Sequence, residues 1–200
     1  MTTQYGKIIR ENLDACFSDP APDFAERLGA QPSEEGFHLR AFGEDCLITP
    51  EGIRFDGTHR TDPKALLVSL YAANASQDTI HLKPFKAFKE LPGSMPYQAA
   101  FSANAERILV PHTPFIHEKK EHIKAVFQGT DGEEGDFSLV LYPLPKIALN
   151  EIFYMPDEEF PASAITLFSA NSLSFMPLDG LADVAEYTSR KIIDIVSGAE

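Results

Sequence analysis

Two stretches of this chain gather residues that could do chemistry. In Lys86 to Tyr97, Lys89 and Glu90 stand beside the rigid Pro92-Gly93 turn and a few residues before Tyr97. In Asp157-Glu158-Glu159-Phe160-Pro161, three carboxylates follow one another directly. A carboxylate next to a cation can bind a polar ligand, and one whose pKa is raised by its surroundings can serve as a general acid–base. Three adjacent acids repel one another and call for a neutralising partner, which Lys86, Lys89, Arg107 or a hard divalent metal would supply. If Phe160 is buried, a flanking acid is drawn inward with it and needs that partner more. The plainer reading is a solvated turn, because charge runs are usually surface features.

Other motifs carry less. His117-Glu118-Lys119-Lys120-Glu121-His122 looks like a zinc-protease helix, but its histidines are five residues apart, not four. Five helical residues turn a side chain by roughly 140°, so the pair does not share a face, and no metal site is expected. His117 with Glu121, and Glu118 with His122, can instead pair on the surface. There is no phosphate-binding lysine loop, no dinucleotide glycine fingerprint and no nucleophile elbow. Cys16 and Cys46 are too few for a disulfide framework, and their apolar neighbours predict small buried thiols.

Composition limits the partners. The 200 residues fit one domain, 1–200, with 44% hydrophobic and 10% aromatic residues to build a core. The net charge of −13 opposes phosphate backbones and argues against nucleic acid. No apolar run approaches the ~20 residues that span a bilayer, and the N-terminus lacks a signal peptide's apolar core, so a cytoplasmic protein away from membranes is expected. Charge is uneven along the chain. Eight acids face Lys146 alone between Asp131 and Phe160, whereas seven bases outnumber four acids between His81 and Lys124. Such asymmetry can draw the two regions together or simply be solvated.

The elements that must position these residues follow from periodicity and punctuation. Ile8, Ile9, Leu13 and Phe17 predict a helix from Gln4 to Phe17, and a short one from Asp23 to Leu28 ends at Gly29. Alternation predicts strands over Phe37–Phe42, Asp45–Thr49 and Ile53–Phe55, joined as a meander. Asp62-Pro63 and Thr113-Pro114 are helix starts, the second running through Ile116, Ile123 and Phe127 to Gly129. A weaker helix is expected from about Tyr97 to Leu109. Thr130 to Gly135 reads as an acidic turn, Phe137–Tyr142, Ile147–Tyr154 and Ala164–Phe168 as strands, and Asp179–Val196 as a closing helix. The expected class is α+β, an antiparallel or mixed sheet from two strand groups packed against about four helices. Phe-Ser-Ala-Asn occurs at Phe101 and again at Phe168, but its flanks differ, so no duplication is read from it.

The order Phe88-Lys89-Glu90-Leu91-Pro92-Gly93 with Tyr97, Pro143-Leu144-Pro145-Lys146, Asp157 to Ala162 and Leu167 to Asn171, preceded by Leu66 to Asn74, resembles the domain of unknown function 3786. The resemblance runs from about Phe37 to Val196. It implies an uncharacterised protein of mainly anaerobic bacteria and archaea, at times beside iron–sulfur or corrinoid modules, and leaves cofactors unknown. An aromatic residue, often Trp, precedes the Phe88 position in that family; here Phe85 or Ala87 stands nearby. Two functions are then expected as rivals. One is a domain binding a small molecule or protein partner between Lys89, Glu90 and Tyr97 and Asp157, Glu158 and Glu159. The other is an enzyme with Glu90, Glu158 or Glu159 as general acid–base, with or without a divalent metal. In a third, the two segments are purely architectural.

Overall fold

The computed structural model describes residues 4–198. Helix α1 (Gln4–Ser18) buries Ile9 and Leu13, and α2 (Phe24–Leu28) ends where Gly29 takes a left-handed conformation. Five short strands follow as one antiparallel meander: β1 (Gln31–Pro32), β2 (Phe37–Ala41), β3 (Glu44–Thr49), β4 (Gly52–Phe55) and β5 (Thr58–Arg60). The outer two, β1 and β5, have two and three residues, too few to show the alternation that marks β2 to β4.

The β2–β3 turn consists of Phe42 and Gly43, both at positive φ (53° and 79°). A two-residue hairpin turn of this hand matches the twist of the strands it joins, but it normally takes Asn, Asp or Gly. Phe42 holds the position through its surroundings. Its ring is buried 6.1 Å from that of Tyr187, and its N–H donates to the Pro143 carbonyl at 2.7 Å.

Helix α3 (Pro63–Ala73) starts as expected, with Asp62 accepting from the Ala65 amide at 3.0 Å and Pro63 in the first turn. A second antiparallel sheet has the order β6-β10-β9-β8-β7, formed by Lys86–Ala87, Ser163–Phe168, Ile147–Tyr154, Phe137–Leu144 and Thr130–Asp131 respectively. The chain has the expected α+β class, and its two strand groups each build a five-stranded antiparallel sheet. Strand β8 runs past Pro143 to Leu144 through an irregularity between Leu141 and Leu144.

The helices number more than expected and are mostly short. The run from Tyr97 to Leu109 divides into a single 3-10 turn (Met95–Tyr97), α4 (Gln98–Phe101) and a π-turn (Ser102–Glu106), closed by Arg107 N–H donating to Ser102 O at 2.8 Å. The helix expected from Thr113 breaks at Lys119 into α5 (Thr113–Glu118) and α6 (Lys120–Phe127), and it stops at left-handed Gln128. That break separates His117 from His122, and the His117 ring packs edge-on to Phe137 at 4.9 Å. Helix α7 (Leu178–Ser197) closes the fold. The two Phe-Ser-Ala-Asn copies differ in structure, one running through α4 and the π-turn, the other leaving β10.

Two apolar clusters fill the interior. One draws Ile48 and Ile53 from the first sheet, Leu149 and Phe168 from the second, and residues of α1, α3 and the first half of α7. The other gathers Leu139, Phe153, Ile116, Ile123 and Phe127 against Ile192 and Ile195 of α7. No helix among the described residues is long and apolar enough to cross a membrane.

Candidate functional site

Strand β6 sets the first candidate segment by pairing Lys86 with Phe168 and Ala87 with Leu167. A 3-10 turn over Phe88–Glu90 follows, and the Glu90 carboxylate accepts from the Ala87 amide at 2.7 Å. Glu90 thus closes its own turn. Phe88 is buried, stacked on Phe101 at 4.2 Å with planes 8° apart, and both rings lie near Phe168. The Pro92-Gly93 reversal, with Gly93 at φ 83°, then brings the chain back to Tyr97. Tyr97 is 59% exposed and Met95 76%, a high exposure for side chains of that size. Lys89 is exposed.

Between this segment and α7 lies a cavity of about 190 Å³. Phe88, Tyr97 and Phe101 line it, with Ala182 of α7. Asp179, Asp183 and Glu186 line it too, on one helix face by their spacing of four and three residues. Glu186 is paired with Arg190 at 2.8 Å. Asp183 has no cationic partner among the described residues. Partial burial, and after it the charges of Glu186 and Asp179, raise its carboxyl above the usual range.

The acidic segment occupies the loop between β9 and β10. There the Asp157 carboxylate accepts from the Glu159 and Phe160 amides at 2.8 and 2.7 Å, while its own N–H donates to Phe160 O. Glu158 and Glu159 point away from the core as exposed residues. Phe160 is 67% exposed, so it draws no acid inward. A separate concavity of about 420 Å³ is lined by Asp136, Tyr154, Met155, Asp157 and Phe160.

Strand β10 keeps the two segments apart. Ser163 at its start follows the acidic loop, and Phe168 at its end pairs with β6. Five steps at about 3.3 Å each separate them by roughly 16 Å. Lys89, Glu90 and Tyr97 lie on the segment that follows β6 at one end, where Tyr97 alone of the three lines a cavity, and Asp157, Glu158 and Glu159 lie in the loop at the other. No ion pair joins the acidic triplet to Lys86, Lys89 or Arg107 among the described residues.

The sequence reading missed Asp179, Asp183 and Glu186. Their helical spacing was legible, but their position opposite Tyr97 depends on how α7 crosses α4 and the π-turn. It also missed Glu151, the only fully buried carboxylate among the described residues. Cys46 is buried and its thiol is pushed up to about 12, chiefly by that burial; Cys16 is half-buried and raised by the same cause. No group of three or more His, Cys, Asp or Glu side chains that could hold a metal ion occurs among the described residues.

No curated protein and no solved structure matches the chain. A family model does match it over residues 20–191, most of its length, and extends the resemblance towards the N-terminus. By that match the chain belongs to the family described as domain of unknown function (DUF3786).

Proposed function

We propose that this is a binding domain whose ligand is a small organic cation, with its apolar part in the Phe88–Tyr97–Phe101 cavity and its charge beside Asp183. The observation that carries the reading is the apolar cavity bordered by an unpaired carboxylate and by an exposed tyrosine. A cation facing Tyr97 and Asp183 gains both ring-face attraction and charge pairing. A volume of about 190 Å³ is below the ~300–1,000 Å³ of drug-sized sites, which favours a short amine over a large cofactor. The net charge of −13 favours the approach of cations in general.

In this reading Tyr97 is the recognition residue carried over from the sequence, and Lys89 and Glu90 frame its turn. Asp157, Glu158 and Glu159 form a second, separate acidic surface. The rival, with Glu90, Glu158 or Glu159 as general acid–base, draws less support. Glu90 is engaged in its turn, and Glu158 and Glu159 do not line the concavity beside them. The same proposal treats residues 1–200 as one domain, supported by the core cluster shared between the sheets. It assigns a cytoplasmic location, supported by two free thiols.

An NMR titration with n-butylamine, and in parallel with neutral n-butanol, tests the reading. Saturating shifts at Tyr97, Phe101 and Ala182 are expected with the amine alone, and they should be lost in Tyr97→Ala. Equal response to both probes would remove the cationic assignment; no response to either would remove the site.

A further inference from the structure

A polar layer separates the two core clusters, and it recurs on each element that crosses it. On β9, Glu151 falls between Leu149 of one cluster and Phe153 of the other. On β10, Thr166 falls between Phe168 and Ala164, and on α7, Thr188 and Ser189 fall between Ala185 and Ile192. On the π-turn, Glu106 follows Ala105 of the first cluster and precedes Leu109 of the second. Glu151, Thr166, Thr188 and Ser189 are all fully buried.

Hydrogen bonding in this layer is incomplete. The Thr166 hydroxyl donates to Glu151 Oε2 at 2.7 Å, and the Thr166 N–H donates to Glu106 Oε1 at 3.3 Å. Two carboxyl groups thus meet at one threonine. Glu151 Oε1 and Ser189 Oγ have no hydrogen-bond partner among the described residues. No lysine, arginine or histidine among the described residues compensates Glu151. Arg107 beside the π-turn and Arg190 on α7 are exposed, β8 sets only Leu139 opposite it, and Glu106 is the one charge that acts on it. Burial first, then the Glu106 charge, raise the Glu151 carboxyl to about 8 against the Thr166 hydrogen bond, so it carries its proton at neutral pH.

The same elements line the Tyr97 cavity. Ala105 of the π-turn lines it, directly before Glu106, and Ala182, Asp183 and Glu186 of α7 line it in the turns that precede Thr188 and Ser189. We infer that the proton on Glu151 is a latch: while it is held, the π-turn and α7 stay seated on β9 and β10, and when it leaves, the buried charge loosens both and opens the cavity between them. A carboxylate charge with no cation in an apolar interior is relieved most readily by admitting water, and the short π-turn is the cover that can lift.

Native-state hydrogen exchange tests this, read as protection factors so that the intrinsic pH dependence of exchange cancels. Between pH 6.5 and 9.0 the amides of Ser102–Leu109 and the middle of α7 are expected to lose at least tenfold more protection than those of β2 to β4. Glu151→Gln, which keeps an acceptor for Thr166 and carries no charge, should abolish that selective loss. Glu106→Gln removes the one charge that raises Glu151 and should move the onset to lower pH. A uniform loss across both sheets, a selective loss that persists in Glu151→Gln, or an onset unmoved in Glu106→Gln would each overturn the latch.

Discussion

Phe42 donates its backbone N–H to Pro143 across the junction of the two sheets while its ring packs against Tyr187 of the closing helix. One turn residue therefore ties three parts of the fold, and it does so at a positive φ that a phenylalanine adopts only under constraint. Phe42→Ala should cost about 3–5 kcal/mol from the lost ring. Phe42→Gly should be about 1 kcal/mol less damaging than Phe42→Ala, the reverse of their usual order, because Gly has no penalty at this φ. Urea denaturation of the three proteins measures both differences.

The burial of Glu151 predicts a pH dependence of definite sign. A carboxyl held at about 8 in the folded state and near 4.5 when unfolded keeps its full contribution below pH ~4.5 and loses it as pH rises to about 8. Glu151→Gln should therefore match the parent near pH 4 and exceed it increasingly up to pH 8, by on the order of a few kcal/mol. Calorimetric melting at pH 4, 6, 8 and 9 gives the profile; a constant offset would contradict it.

Asp62 carries the opposite dependence. Burial is the largest single influence on its carboxyl and acts upward, but the Ala65 amide and Arg60 together outweigh it and hold the carboxyl below the usual range. Its contribution is present above pH ~3.9 and is lost as pH falls through the depressed folded value. Asp62→Ala should cost about 1 kcal/mol at pH 7, and less at pH 2, in chemical denaturation.

The acidic loop separates architecture from surface charge. Asp157 satisfies two amides, so Asp157→Ala should destabilise by about 1 kcal/mol, while Asp157→Asn retains an acceptor and most of the stability. Glu158→Gln with Glu159→Gln should change stability by less than about 0.5 kcal/mol, since both side chains are exposed. Thermal melting of the three variants distinguishes the roles; a large loss in the double variant would give Glu158 and Glu159 a structural part.

Glu90 offers a parallel test at the other segment. Glu90→Ala removes the acceptor for the Ala87 amide and should cost about 1 kcal/mol, whereas Glu90→Gln should stay close to the parent. Melting curves for the pair decide whether its contribution is hydrogen bonding at the turn.

Local chemistry made much of the fold legible. Asp62-Pro63 announced α3 because a carboxylate cap and a fixed φ act within one turn. Gly29 ended α2, and the alternation of β2 to β4 exposed one face of the first sheet. Strands β1 and β6, each two residues long, carry no period to read, and they exist because a neighbouring strand offers them hydrogen bonds. The Thr113 helix was overrun by one break, since the apolar spacing continues across Lys119 while the backbone does not.

The chemistry divides the same way. The chain itself determines the net charge, the caps, the turns and the run of three acids, because these depend on residues near in sequence. Which carboxylate is costly was decided only by tertiary structure. The conspicuous Asp157-Glu158-Glu159 triplet is solvated, as an exposed loop allows. Glu151, flanked by Asn150 and Ile152 in an ordinary strand pattern, is sealed between two apolar clusters because β8 and β10 flank β9 in the sheet while α7 and the π-turn pack over it. Burial is a property of what packs around a residue, and those elements come from positions 102 to 197 of the chain. Packing between segments far apart in sequence likewise puts Tyr97 and Asp183 on the lining of one cavity.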